Sequence, residues 1–332
     1  MILLSYGTRP EWIKIKPLIK ELSGVLPFKV LYTGQHTHIA NFYYDYRLDI
    51  NDGNNRLDSI ISSIVNIGDE VFDGIKYTIV QGDTASTYAV ALASFNRKIK
   101  VVHLEAGLRT YDLENPYPEE AYRQMISRIA SIHFCATENN RTNLLMEKCG
   151  GKIYIVGNTV LDNLVGIDTS YGDEVLVTMH RRENHNIMSQ WFNELNSIAG
   201  DNKDLKFTIP LHPNPNVKKH AKLLTNFNIV DPLPYDKMID KISKCKMLIS
   251  DSGGIQEESS FLNKKVIVCR KYTERQESVG KHSIMCSEPR FLKNVFKKVI
   301  NNYKINSPCP YGNGRASKLI VQRIIGENNE IK

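Results

Sequence analysis

The sequence contains no apolar run near the roughly 18–20 residues that a bilayer-spanning helix requires, so no membrane span is expected in its 332 residues. Its six cysteines (Cys135, Cys149, Cys245, Cys269, Cys286, Cys309) include no CxxC pair and no His at metal-ligand spacing. Several lie in apolar strand-like runs, so they read as buried reduced thiols rather than disulfides or a zinc site. No strand candidate is followed by GxGxxG, and Walker A, HExxH and Asp-x-Asp patterns are missing. No nicotinamide cofactor and no metal are therefore expected. The 43 Lys and Arg exceed the 36 Asp and Glu by 7, but the densest basic runs, Lys218-Lys219 and Lys297-Lys298, lack interleaved aromatics. That excludes nucleic acid as the expected partner and leaves a solvated basic surface or a polyanionic small molecule. The chain opens Met-Ile-Leu-Leu-Ser-Tyr-Gly without a basic n-region, which points to the cytoplasm.

What is present is a globular composition, 42% hydrophobic and 24% charged, at a length that suits two domains. Short β-branched runs alternate with helical stretches from end to end. Strands are expected over 1–6, 28–33, 77–81, 100–104, 132–136 and 153–156, then 175–179, 207–211, 247–250 and 266–269. These runs are apolar without period-2 alternation, as for strands covered on both faces. Helices at 84–95, 119–131 and 255–262 fill gaps between them. The pattern is βαβα throughout, hence an α/β protein of two doubly wound domains with parallel sheets. Pro17 interrupts a helical stretch over 11–22, which should begin late or kink. Residues 51–55 read as a surface turn. The turn-rich stretch 162–173 marks the domain boundary, giving domains at 1–165 and 166–305. A tail at 306–332 ends in an amphipathic helix at 316–325.

The polar clusters fall just after strands, where open α/β sheets bind ligands. Gly7-Thr8-Arg9-Pro10-Glu11 combines a tight turn, a cation and a helix N-terminus. Gln81-Gly82-Asp83-Thr84 puts an acid at a strand end. His103-Leu104-Glu105 follows the next strand, and Pro118-Glu119-Glu120 opens a helix bearing Arg123. One such carboxylate is easily an N-cap. Three at the ends of neighbouring elements point to acid/base work if burial raises a pKa. The second half carries a different kit. Met179-His180-Arg181-Arg182 places an imidazole beside two guanidiniums, and Leu211-His212-Pro213-Asn214 repeats the layout. The most specific signal is Asp251-Ser252-Gly253-Gly254-Ile255-Gln256-Glu257-Glu258. There a strand ends, two glycines let backbone N–H groups approach a ligand, and a helix starts. That is an anion cradle suited to a diphosphate, with Glu258 placed to accept from ribose hydroxyls. Arg270 and Thr273-Glu274-Arg275 can add charge-assisted bonds.

Together these motifs, with Thr33-Gly34-Gln35-His36, Gly157-Asn158-Thr159 and Tyr311-Gly312-Asn313-Gly314, run in order through the chain. In that order they resemble the non-hydrolysing UDP-N-acetylglucosamine 2-epimerases. The resemblance implies two Rossmann-like domains whose parallel sheets face across a cleft, a glycosyltransferase-B-like arrangement, with the tail packed back on the first domain. It also implies reversible conversion of UDP-GlcNAc to UDP-ManNAc, through elimination of UDP to a glycal and re-addition. By the same analogy Asp83, Glu105 and Glu119 transfer protons and His180 serves the leaving diphosphate. Arg9, Lys14, Arg123, Arg181, Ser252, Gly253, Gly254, Glu258 and Arg275 bind the UDP-sugar, and Met238 stands where an aromatic commonly flanks the uracil. Tyr122 and Gln276 also depart from the family pattern, which usually has Asn and Pro there. Family members are commonly homodimers. The alternatives are a hydrolysing relative that releases ManNAc and UDP, an epimerase of a modified UDP-sugar, and a non-catalytic UDP-sugar sensor.

Overall fold

The computed structural model describes residues 1–36, 42–50 and 53–329. The expected turn at 51–55 therefore lies partly outside the described residues. The chain divides into two compact units, Met1–Asn163 with Tyr311–Lys332, and Leu164–Pro310.

In the first unit the strands are β1 (Ile2–Tyr6), β2 (Phe28–Tyr32), β3 (Tyr46–Arg47), β4 (Tyr77–Gln81), β5 (Lys100–Leu104), β6 (Ile132–Cys135) and β7 (Lys152–Ile155). They form one sheet in the order β3-β2-β1-β4-β5-β6-β7, with the pairings parallel. Its helices are α1 (Arg9–Leu22), α2 (Arg56–Val65), α3 (Ala85–Asn96), α4 (Glu119–Ile129) and α5 (Glu138–Met146), with a C-terminal helix at Ala316–Asn329. Along β1 the side chains alternate between two cores. Ile2, Leu4 and Tyr6 join Ile15, Leu18, Ile320 and Ile324 on one face, while Leu3 joins Ile60, Ile64, Ala89 and Ile126 on the other. Both faces are apolar, which is why the strand lacks a polar period.

The second unit holds β8 (Glu174–Thr178), β9 (Lys206–Pro210), β10 (Asn228–Val230), β11 (Met247–Ser250), β12 (Val266–Val268) and β13 (Ser283–Met285). They pair in parallel in the order β10-β9-β8-β11-β12-β13. Its helices are α6 (Met188–Asp201), α7 (Pro215–Lys218), α8 (Tyr235–Lys244), α9 (Gly253–Phe261) and α10 (Leu292–Ile300). A core built on Trp191, Phe192, Phe207 and Phe296 packs beneath the sheet. Both sheets are doubly wound. Strand order reverses beside β1 and β4 in the first unit and beside β8 and β11 in the second, and crevices form at such reversals.

Three expectations change. Helix α1 does not begin late; it starts at Arg9, behind a capping box made by Thr8 and Glu11, and runs through Pro17 to Leu22. Pro17 has no N–H to give the Ile13 carbonyl, and the Asn163 side-chain amide donates to that oxygen instead, at 2.9 Å. The unit boundaries fall at 163/164 and 310/311 rather than 165/166 and 305/306. Asn163 is held by α1, and residues before 310 are held in the second unit by the Lys264–Lys304 bridge and the Ser307–His282 bond at 2.9 Å. Strands β3, β10 and β13 were not expected. Each is a two- or three-residue edge strand, too short to leave an apolar run in the sequence.

Candidate functional site

At the first unit's reversal, the loop after β1 and the loop after β4 are tied by one carboxylate. Glu11 accepts from the Gly7 and Thr8 amides at 2.5 and 3.0 Å. It also accepts from the Thr84 and Thr87 hydroxyls at 2.6 and 3.2 Å. Burial raises its pKa on balance, against the opposing pull of these bonds. Arg9 lies exposed at the first turn of α1. The Gln35 side chain takes the Ser86 amide at the start of α3, at 3.1 Å.

The three expected carboxylates are each placed by a specific neighbour. Asp83, half-buried after β4, meets Arg123 Nη2 at 2.6 Å, and that buried guanidinium also meets Glu120 at 3.3 Å. Glu119, half-buried at the first residue of α4, is four positions before Arg123 and so shares its helix face. Glu120, next to it, is fully buried and accepts from the Thr110 and Tyr111 amides at 3.0 and 3.2 Å. That makes Glu120 a loop-building residue. Glu105 follows β5 with φ +59°, in the left-handed region that costs a branched or long side chain strain. Its carboxylate accepts from Gln81 Nε2 at 2.6 Å and from Lys14 Nζ. It reaches to 3.8 Å from where a Cβ on Gly82 would stand, so Glu105 lies against the residue preceding Asp83. Lys14, expected on the nucleotide, is thus paired with a candidate acid. His103 bonds the Gly82 carbonyl at 2.8 Å, and burial drops its pKa to about 3, leaving it neutral and structural.

At the second unit's reversal, Asp251 organises the loops. Fully buried at the end of β11, it accepts from the His180 amide at 3.0–3.1 Å, the Arg181 amide at 2.9 Å and Asn184 Nδ2 at 3.0 Å. Asn184 also donates to the Cys269 carbonyl at 3.0 Å and receives Trp191 Nε1 at 3.1 Å. The His180 ring stacks on His212, with centroids 5.2 Å apart and planes at 18°. Burial lowers the His180 pKa, and the Asp251 charge opposes that. Arg181 Nε is buried and has no hydrogen-bond partner among the described residues.

Beside that loop, Ser252 is the N-cap of α9, and its side chain makes no cap bond. A Cβ on Gly254 would meet nothing within 4 Å, so its backbone faces open space. One on Gly253 would lie 2.8 Å from Arg275 Nη1. Arg275 is buried against Glu257, at 3.0 Å, and Glu274. Arg270 is likewise buried between Glu183, at 2.7 Å, and Glu274, at 3.1 Å. These arginines, expected on a diphosphate, hold the turn behind the glycines. Glu258 is buried on α9, with burial and its charge pushing the Tyr235 phenol pKa up. Met238 is half-buried on α8. Glu11, Gln81, Asn184 and Asp251 were not singled out from the sequence. Their partners lie up to 85 residues away, and although Glu11, Gln81 and Asp251 fall inside motifs quoted above, nothing local shows what they bind. Among the described residues no cluster of three His, Cys, Asp or Glu could hold a metal, and no helix is long and apolar enough to cross a membrane.

Two parallel, doubly wound sheets with polar loops at both reversals define a glycosyltransferase-B-like α/β protein. The pattern of the family described as UDP-N-acetylglucosamine 2-epimerase matches residues 21–325, and the chain belongs to that family. It is 37% identical to the UDP-N-acetylglucosamine 2-epimerase of Campylobacter jejuni, over 99% of this chain and 98% of that protein. Its fold matches a crystal structure of the Neisseria meningitidis UDP-GlcNAc 2-epimerase bound to UDP-GlcNAc. There the TM-score is 0.89 and the identity 34%, covering 98% and 99% of the two chains. A Methanocaldococcus jannaschii UDP-GlcNAc 2-epimerase in complex with UDP-GlcNAc and UDP matches at TM-score 0.80 and 28% identity, covering 98% and 99%.

Proposed function

We propose that the protein is a non-hydrolysing UDP-N-acetylglucosamine 2-epimerase that interconverts UDP-GlcNAc and UDP-ManNAc. The observation that carries the reading is the division of chemistry between the two strand-order reversals. Carboxylates paired with cations gather at the first, and the open N-terminus of α9 stands beside His180 and Arg181 at the second.

The reaction balances with these groups alone. A carboxylate removes the C2 proton, the C1–O bond to UDP breaks, and the electron pair forms the C1–C2 double bond of a glycal. UDP then adds back at C1 as a proton arrives on the other face of C2. No net oxidation occurs. Asp83, Glu105 and Glu119 are the proton-transfer candidates, and Arg123 and Lys14 hold the first two in place by ion pairs. Lys14 and Arg123 therefore serve the sugar end through those acids, and Arg9 offers an exposed cation at the start of α1.

Expulsion of UDP puts charge on the diphosphate, which fixed donors stabilise more than mobile ones. In this proposal His180, Arg181, the Ser252 hydroxyl and the amides at Gly253 and Gly254 meet that charge at the α9 N-terminus. Arg275 adds its field from behind Gly253. Glu258 takes the ribose hydroxyls and Met238 the uracil face. The homodimer implied by the family resemblance is part of the proposal and is checked by light scattering.

The test is phosphorus NMR of UDP-GlcNAc incubated with the protein. A second sugar-nucleotide doublet pair from UDP-ManNAc, without free UDP, is expected. Stoichiometric accumulation of UDP would assign the hydrolysing reaction instead.

A further inference from the structure

Resting on the epimerase reading, we infer that Asp251 is a positioning residue that sets the place and protonation of His180 at the diphosphate end. The argument is geometric. Asp251 is fully buried at the carboxyl end of β11, yet its carboxylate bonds the loop after β8, 70 or more residues earlier in the chain. Both its oxygens take the His180 amide, and one also takes the Arg181 amide and the Asn184 side chain. Such a chelate fixes where the His180 and Arg181 side chains start, in the same way that supporting hydrogen bonds fix a catalytic group.

The same two loops are joined again beside the neighbouring cradle, through the Ser250 hydroxyl. Residue 251 immediately precedes Ser252, whose amide donates to the Ser250 hydroxyl at 3.0 Å. The Ser250 hydroxyl in turn bonds Thr178 at 2.7 Å, at the end of β8. The two loops flanking the reversal are therefore locked to one another, and any shift of His180 carries through to the α9 N-terminus. Asparagine does not substitute. Its amide group would point donors at backbone N–H donors, leaving at least one buried donor unpaired.

Asp251 also has an electrostatic effect. The groups facing the His180 ring are Asp251, with Oδ1 3.7 Å from Nδ1, and Arg181, His212 and His185. Only Asp251 favours the imidazolium; the other three and burial oppose it. Removing its charge should leave His180 harder to protonate.

The experiment compares wild type, Asp251→Asn and His180→Gln by three readouts: imidazole NMR titration, with the His180 signal assigned by its loss in His180→Gln; UDP affinity by calorimetry; and kcat and KM for UDP-GlcNAc epimerisation. In folded Asp251→Asn the His180 midpoint should move to lower pH by half a unit or more. Its kcat should fall by about 10²-fold, the scale of a general acid/base or donor contribution. An unmoved midpoint together with wild-type kcat in the folded variant overturns the inference. Should Asp251→Asn fail to fold, Asn184→Ala decides, since it removes one donor to the carboxylate while keeping its charge. About a tenfold fall in kcat supports the role, and unchanged kcat removes it. If wild type itself does not epimerise UDP-GlcNAc, the epimerase reading has failed, while the titration still reports whether Asp251 governs His180.

Discussion

The two units wind their sheets in the same sense and offer opposite chemistry at the same place. In the first, the reversal is lined by carboxylates held to cations, Glu105 to Lys14 and Asp83 to Arg123. In the second, the buried carboxylate of Asp251 is spent on the His180 and Arg181 amides, other acids hold Arg270 and Arg275, and the Gly254 backbone faces open space. Topology fixes where a ligand is met; the side chains on a few loop residues decide whether that place moves protons or receives an anion. The backbone strain is also uneven. Glu105 has a φ of +59°, a left-handed conformation that costs a residue with a side chain, whereas Gly82 (+75°) and Gly107 (+85°) adopt it freely.

The contrast can be broken first at the acids. Asp83→Asn or Glu105→Gln should cut turnover by roughly 10²–10⁴ while UDP affinity stays within a few-fold of wild type. Steady-state kinetics beside calorimetry check this, and a parallel loss of UDP affinity would erase the proposed division. Next is Gly107→Ala, whose new Cβ would fall 2.1 Å from the Asn140 carbonyl at a φ of +85°. A loss of about 3 kcal/mol or more is expected, confined to the first unit. The two tryptophans make that readable, because Trp12 reports one unit and Trp191 the other. In Trp191→Phe protein the Trp12 emission transition in urea should move, and in Trp12→Phe protein the Trp191 transition should not.

A smaller effect follows from His103. Its folded pKa, about 3, lies below its ordinary 6.5, so the native state refuses a proton that the unfolded chain accepts. The stability it contributes is whole above pH 6.5 and is lost as pH falls toward 3. By pH 5 that loss is about 2 kcal/mol. Urea midpoints followed at Trp12 between pH 7.5 and 5 should show it, and His103→Gln should flatten the slope. The smallest change is Gly254→Ala. Open space around its Cβ position predicts an unaltered melting temperature, while a methyl group in the proposed diphosphate cradle should weaken UDP about tenfold, read by calorimetry.

Much of this was legible from residues alone wherever the signal was local. Strands such as β4 and β11 are buried on both faces and announce themselves as apolar runs, and the loops after them carry Asp83 and the glycines at 253 and 254. What stayed hidden depends on partners far along the chain. Nothing near Pro17 reveals that Asn163 will take over its missing donor. Lys14 reads as a nucleotide cation, and its pairing with Glu105, 91 residues later, shows only in the fold. Asp251 looks like one letter of an anion motif, and its work on His180 appears only when β8 and β11 lie side by side. The ion pairs of Arg270 and Arg275 were hidden for the same reason, since their acidic neighbours are brought by α9 and by the loop after β8.

The most direct test is proton NMR of UDP-GlcNAc with the purified protein in deuterated water. The account predicts that the sugar H2 signal disappears as deuterium enters at C2, with UDP-ManNAc resonances growing alongside. An H2 signal that persists at full intensity, with UDP-GlcNAc demonstrably bound, would contradict it.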